Sequence, residues 1–213
     1  MTERFDLTAG AFRPVSGVTG ENSMIRGIAI DTLLINPARR AVLCGDRLSA
    51  ALITGYDKVK SGYGNGDCLL LDFKNGIFAV SDSSERFPQS SRDLLCRLAG
   101  LLDTEGVPGN AGAWDILMRK VYDGQKYHFK ATLSCAAVNE DESGVSVMVV
   151  HGGDSTVMVT DTMDGSIRHL TMPDMNFAGR SRKLSIVGEW RVQKRSERIV
   201  LCSDGMWDLM RHG

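Results

Sequence analysis

Charge of either sign is nearly absent in the balance: 25 Lys and Arg stand against 26 Asp and Glu in 213 residues. That gives no support for a nucleic-acid partner or a membrane-surface partner. No apolar run approaches the ~20 residues of a membrane span. Met1-Thr2-Glu3-Arg4-Phe5-Asp6 lacks the basic and apolar regions of a signal peptide. Cysteines are few and scattered. Cys44, Cys68, Cys96, Cys135 and Cys202 contain no Cys-x-x-Cys pair, which argues against a thiolate zinc site and favours a reducing cytoplasm. Cys68, Cys135 and Cys202 lie in apolar runs and are expected as small buried thiols. The four histidines form no metal-ligand spacing, and His151 is expected to be structural. There is no internal repeat and no low-complexity linker. The expectation is a cytoplasmic protein with one main domain and a sizeable core.

What the chain does have is a recurring design. Ile199-Val200-Leu201-Cys202 reads as a strand buried on both faces, followed by Ser203-Asp204-Gly205-Met206-Trp207-Asp208. Ile77-Phe78-Ala79-Val80-Ser81-Asp82 repeats the pattern. Val147-Met148-Val149-Val150 leads into His151-Gly152-Gly153-Asp154-Ser155. An ionised carboxylate at the end of a buried strand persists only if paired, hydrogen-bonded or on a metal. Three such ends imply one carboxylate cluster at one edge of a sheet core. Each residue also has a plainer reading. Asp204 can cap the following helix, and Asp82 can be a turn or cap residue. Asp67 suits a turn, Asp154 a tight hairpin, and Asp208 a solvated helix face. Asp57 and Asp72 carry no motif and read as surface carboxylates.

The surrounding pattern is strand-rich. Strands are expected over 51–60, 67–73, 77–81, 130–138, 145–150, 156–161 and 166–172. Asn75-Gly76 and Asp164-Gly165 are the hairpin turns. Two helices interrupt them. Ser91 can cap the first, whose stripe is Leu94, Leu95, Leu98, Leu101 and Leu102. The second runs 111–122 with Trp114, Leu117 and Val121 on one face, and Asp123-Gly124 ends it. This order predicts an α+β fold. Residues 1–50 match no motif, although Asn36-Pro37 resembles a helix start. They are read as an N-terminal extension packed on a domain spanning 51–213.

The motifs carry a resemblance. Ala79-Val80-Ser81-Asp82, Gly153-Asp154-Ser155 and Leu201-Cys202-Ser203-Asp204-Gly205-Met206-Trp207-Asp208 resemble, in order, those of the metal-dependent serine/threonine protein phosphatases (the PPM, or type 2C, superfamily). Asn65-Gly66-Asp67-Cys68 resembles a variant of that family's opening Asn-Glu-Asp motif. The overall look is closest to the bacterial branch that includes the stage II sporulation phosphatase. The resemblance implies two antiparallel sheets packed as a β-sandwich and flanked by helices. It implies two Mn²⁺ or Mg²⁺ ions, with a third weaker site. Asp82 would bridge the ions, Ser83 would lend its carbonyl, and Asp204 would ligate the second ion. Asp67 matches the acidic position of the opening motif, and Asp154 and Asp208 match the additional site. Asp82 and Asp204 are accordingly the expected catalytic residues. The implied reaction is hydrolysis of phosphoserine or phosphothreonine by a water activated between two metals. The absence of a Cys-x5-Arg motif fits it.

The chain departs from the family at three places. Asp82-Ser83-Ser84-Glu85 stands where Asp-Gly-x-Gly is usual, and Gly66 replaces the opening Glu. The family's closing Asp-Asn motif is not found before Gly213. Lys58 and Lys60 lie where the family often has a phosphate-holding arginine, and a lysine is a less directional phosphate ligand. The basic set Arg180, Arg182, Lys183, Arg191, Lys194, Arg195 and Arg198 can steer a phosphoprotein or simply face solvent. The expected function is a phosphatase in bacterial signalling, with a phosphoprotein such as an anti-sigma-factor antagonist as partner. The alternatives are a catalytically weak regulatory module or a plain sheet-rich scaffold.

Overall fold

The computed structural model describes residues 48–55, 58, 60, 65–84, 87–122, 130–142, 144–174, 188–193 and 195–210. It also describes the backbone of the strands in 13–44 and at 185–187, and of residues 211–212. The strands are β1 (Arg13–Pro14), β2 (Ser23–Ala29), β3 (Thr32–Pro37), β4 (Arg40–Cys44), β5 (Ser49–Ile53), β6 (Cys68–Asp72) and β7 (Ile77–Ser81). Helices α1 (Ser90–Glu105) and α2 (Ala111–Tyr122) follow. The chain continues through β8 (Leu133–Asp141), β9 (Gly144–Gly152), β10 (Thr156–Asp161), β11 (Ile167–Leu170), β12 (Ser185–Val192), β13 (Glu197–Cys202) and α3 (Asp204–His212).

Seven strands form one sheet in the order β12-β9-β8-β7-β6-β3-β2, and every pairing is antiparallel. Two three-stranded antiparallel sheets, β1-β4-β5 and β11-β10-β13, pack on one face of it. Helices α1 and α2 pack on the other. Strand alternation decides which residue goes where. Cys68 and Leu70 of β6, with Ile77 and Ala79 of β7, join the core under α1 and α2. Leu94, Leu95, Leu98 and Leu102 of α1 enter that core with Trp114, Leu117, Met118 and Val121 of α2. Leu69, Leu71 and Val80 point the opposite way and meet Leu52 of β5. Ala136, Val147 and Val149 meet Val157 and Val159 of β10. The expected α+β sandwich with flanking helices is the architecture observed.

The expected hairpin turns also form. Gly76 and Gly165 have φ of 67° and 70°. Cys68, Cys135 and Cys202 are buried free thiols, while the side chain of Cys44 lies outside the described residues.

Several expectations need correction. The segment read as an extension supplies β1 to β4 and part of β5, and β3 pairs with β6 from Thr32↔Asp72 to Ile35↔Leu69. Asn36-Pro37 closes a strand rather than opening a helix. The strand expected to continue to residue 60 stops at Ile53, and Lys58 and Lys60 are helical. Ile199, Val200 and Leu201 are only half-buried, because β13 is the edge of a three-stranded sheet. Ser91 does not cap α1; Gln89 stands at the cap, and Ser91 Oγ instead donates to the Gly66 carbonyl. Asp72 is buried, not a surface group. It accepts the Asn75 backbone N–H at 3.1 Å and the Asn75 side-chain amide at 2.7 Å, which builds the β6–β7 turn. Asp57, Glu85, Asp123-Gly124, Lys194 and the 179–183 basic segment lie outside the described residues.

Candidate functional site

The acidic site sits where three strand ends meet. Asp82 follows β7 directly, and Asp204 opens α3 one residue after β13. Asp67 immediately precedes β6. Asx geometry sets it there: Asn65 Oδ1 accepts the Asp67 backbone N–H at 3.0 Å. Ser203 Oγ donates to Asp67 Oδ2 at 3.2 Å, which ties the start of β6 to the end of β13.

Thr132 fixes Asp82 from across the sheet. The Thr132 N–H donates to the Asp82 carbonyl at 2.7 Å, and Thr132 Oγ1 accepts the Asp82 N–H at 2.9 Å. Ser81 Oγ donates to the Thr132 carbonyl at 2.6 Å. Thr132 Oγ1 also meets Ser155 Oγ at 2.5 Å, so one residue joins the Asp82 loop to the 153–155 turn. Gly153 is required there. Its φ is 101°, and a Cβ would sit 2.7 Å from Thr132 Cγ2. The Gly153 N–H donates to Asp174 Oδ1 at 3.0 Å, and Asp174 N–H returns a bond to the Gly153 carbonyl at 2.8 Å. Sequence reasoning did not name Thr132, and it gave Ser203 and Ser155 no role of their own within their motifs. Nothing in a single buried hydroxyl residue marks it as a bridge.

The electrostatics show which carboxylates influence one another. Burial pushes the Asp82 carboxyl up to about 9, and neighbouring Asp67 pushes in the same direction, as does Asp204. Lys58 opposes the rise, with Nζ 3.8 Å from Asp82 Oδ1 and 3.7 Å from Asp67 Oδ1. Asp154 is raised by burial and then by Asp204, with a smaller push from Asp208. Asp82 thus feels Asp67 and Asp204, and Asp154 feels Asp204 and Asp208. Asp204 Oδ1 also accepts the Gly205 N–H at 2.7 Å, so its carboxylate touches the start of its own helix as well. His151 is not part of the cluster's hydrogen bonding. Its Nε2 lies 3.1 Å from the Met172 carbonyl and its Nδ1 lies 3.3 Å from Ser134 Oγ.

Ser83 shows how the departures fit together. Its N–H and Oγ both donate to the Gly66 carbonyl, at 3.3 and 2.8 Å, and Ser91 Oγ donates to the same oxygen. A Cβ on Gly66 would lie 2.7 Å from the Ser83 carbonyl oxygen and 3.2 Å from Ser83 Oγ.

The architecture has a solved counterpart. The X-ray structure of the photosystem II phosphatase PBCP matches with a TM-score of 0.57 at 18% identity, over 83% of this chain and 68% of that one. The chain has a PPM-type phosphatase fold. At that identity the likeness concerns the fold; it does not extend to the sporulation branch. No family model matches the chain, and neither does any curated protein.

The oxygens that the motifs single out are hard: the carboxylates of Asp67, Asp82, Asp204, Asp154 and Asp208, and the Ser83 carbonyl. Such oxygens suit Mg²⁺ or Mn²⁺. Asp82 Oδ1 is a buried oxygen that accepts no hydrogen bond, which a cation would satisfy. Among the described residues, no three or more His, Cys, Asp or Glu side chains are drawn together into a metal-holding group. The Lys58 ammonium stands between Asp67 and Asp82 instead. The chemistry of the residues fits a hard dication. No described helix is long and apolar enough to cross a membrane.

Proposed function

We propose that the chain is a metal-dependent phosphoprotein phosphatase acting on phosphoserine and phosphothreonine. The observation that carries this reading is the meeting of Asp67, Asp82 and Asp204 at strand ends of a PPM-type fold, where burial and mutual repulsion hold Asp82 far above its ordinary range. A carboxylate raised in this way gains most from a bound cation. Asp82 and the Ser83 carbonyl would hold the bridging position, Asp67 and Asp204 would complete it, and Asp154 with Asp208 would offer a weaker third place. When bound, two Mn²⁺ or Mg²⁺ ions lower the pKa of a water and offset charge on the phosphoryl oxygens. The protein's own part is positional. Asn65 and Ser203 orient Asp67, Thr132 pins the Asp82 backbone, and Ser83 ties its loop to Gly66. The motif resemblance supports a cytoplasmic bacterial signalling role close to the sporulation phosphatases, with an anti-sigma-factor antagonist as a candidate substrate.

The second reading is a catalytically weak regulatory relative. It is favoured by Lys58 in the acidic gap and by Gly66 and Ser83 in place of the family's residues. One assay separates them: turnover of a phosphoserine peptide, with and without Mn²⁺, by the wild type, Asp82→Asn and Asp204→Asn. The expected outcome is Mn²⁺-dependent turnover that falls more than ~100-fold in each variant, beyond the ~10–100-fold of outer ligand changes. Equal turnover in all three proteins eliminates the phosphatase reading. Mn²⁺ binding without turnover in the wild type selects the regulatory one.

A further inference from the structure

Lys58 Nζ lies between two buried carboxylate oxygens, 3.7 Å from Asp67 Oδ1 and 3.8 Å from Asp82 Oδ1. Both distances exceed those of a hydrogen bond, so the attraction is that of a point charge for an acidic pair. A Cβ on Gly66 would come within 3.5 Å of Lys58 Nζ. The side chains of Lys58, Asp67 and Asp82 are 27%, 21% and 19% exposed, so water screens this trio only in part.

Resting on the metal reading above, we infer that Lys58 is a tethered competitor for the metal position: its ammonium occupies the gap between Asp67 and Asp82 and must leave for a dication to enter. A dication contacts carboxylate oxygens at ~2.0–2.6 Å. It cannot share the gap with an ammonium less than 4 Å from the same two oxygens, because like charges at that separation repel strongly in a partly desolvated site. The flexible four-carbon stem of a lysine lets the head swing out without disturbing the backbone. Lys58 therefore lowers metal affinity and steadies the empty site.

The test compares the wild type, Lys58→Met and Lys58→Arg by two readouts: Mn²⁺ titration by calorimetry, and thermal melting after chelation. Methionine keeps the length of the stem and removes the charge. The expected result is Mn²⁺ affinity higher by on the order of ten-fold in Lys58→Met, with a lower melting point in the metal-free state. Lys58→Arg should stay close to the wild type in both. Equal or weaker Mn²⁺ binding by Lys58→Met overturns the competitor role while leaving the metal reading in place. Absence of Mn²⁺ binding in both the wild type and Lys58→Met overturns the metal reading itself.

Discussion

Gly66 and Ser83 fit each other as a pair: the Ser83 hydroxyl donates to the Gly66 carbonyl at 2.8 Å, and the Ser83 carbonyl fills the space that a side chain on residue 66 would need. Gly66 is required by the backbone of residue 83 rather than by its side chain. Gly66→Ala forces a Cβ to 2.7 Å from a backbone oxygen that cannot rotate away. The expected cost is about 1–3 kcal/mol, typical of overpacking. Ser83→Gly removes a hydroxyl but not the carbonyl, so it should not rescue Gly66→Ala. Urea denaturation of the two single variants and the double variant checks this.

Thr132→Val should loosen the site without emptying the core. Valine keeps the shape but drops two bonds, to the Asp82 N–H and to Ser155 Oγ. Leaving a buried donor unsatisfied costs ~1–3 kcal/mol. Mn²⁺ affinity should fall together with stability, whereas Cys202→Ser at a buried thiol should lower the melting point alone. Calorimetric titration beside a melt of each variant distinguishes the two patterns.

Metal-free stability should fall as pH rises. Asp82 has its carboxyl lifted from 3.8 to about 9 in the folded chain. Between those values the folded state holds a proton that the unfolded state has released. Stability is therefore greatest near the acidic end of this window and declines until about pH 9. Asp82→Asn removes the titrating group, so its stability should be flatter over the same window and exceed the wild type above pH 8. Equilibrium unfolding in a chelating buffer from pH 5 to pH 9 measures the slope, and parallel curves for the two proteins would refute it.

His151 should act in the opposite direction. Burial lowers its pKa below the ordinary 6.5, while the Met172 carbonyl, Asp174 and Asp154 pull it back up. A carbonyl only accepts, so Nε2 carries the hydrogen toward Met172 and Nδ1 accepts from Ser134 Oγ. The folded state keeps the ring neutral while the unfolded state takes up a proton as pH drops through 6.5. His151 therefore contributes an acid-side loss of stability below that point. His151→Gln should start less stable at pH 7.5 yet lose less on going to pH 5, as read by urea midpoints.

Much of the core was legible because its periodicity is strong. The β7 strand at 77–81, the β10 strand at 156–161 and the helix at 111–122 lie where alternation and the Trp114, Leu117, Val121 stripe put them. Residues 23–44 were not legible as sheet strands. Their partners, β6 and β5, give the register that their own sequence does not display. The Ile199–Cys202 run looked central because four apolar residues in a row suit either a doubly buried strand or an outer one; only its neighbours decide. At the site, the aspartates announced themselves by following apolar runs. Thr132, Ser155 and Ser203 did not, since a hydroxyl acquires its role from what lies opposite it.

The Thr132 bridge has a consequence for the order of events in folding. It joins residues 50 positions apart on one side and 23 on the other, with both long helices in the first interval. Closing such intervals costs chain entropy before any reward arrives. Asp67 and Asp82 flank one β6–β7 hairpin, but until Thr132 is seated the 153–155 turn that carries Asp154 is not joined to them. The cleft is thus a late product of folding, and a dication added to the unfolded chain should speed the final docking step rather than the early pairing of neighbouring strands.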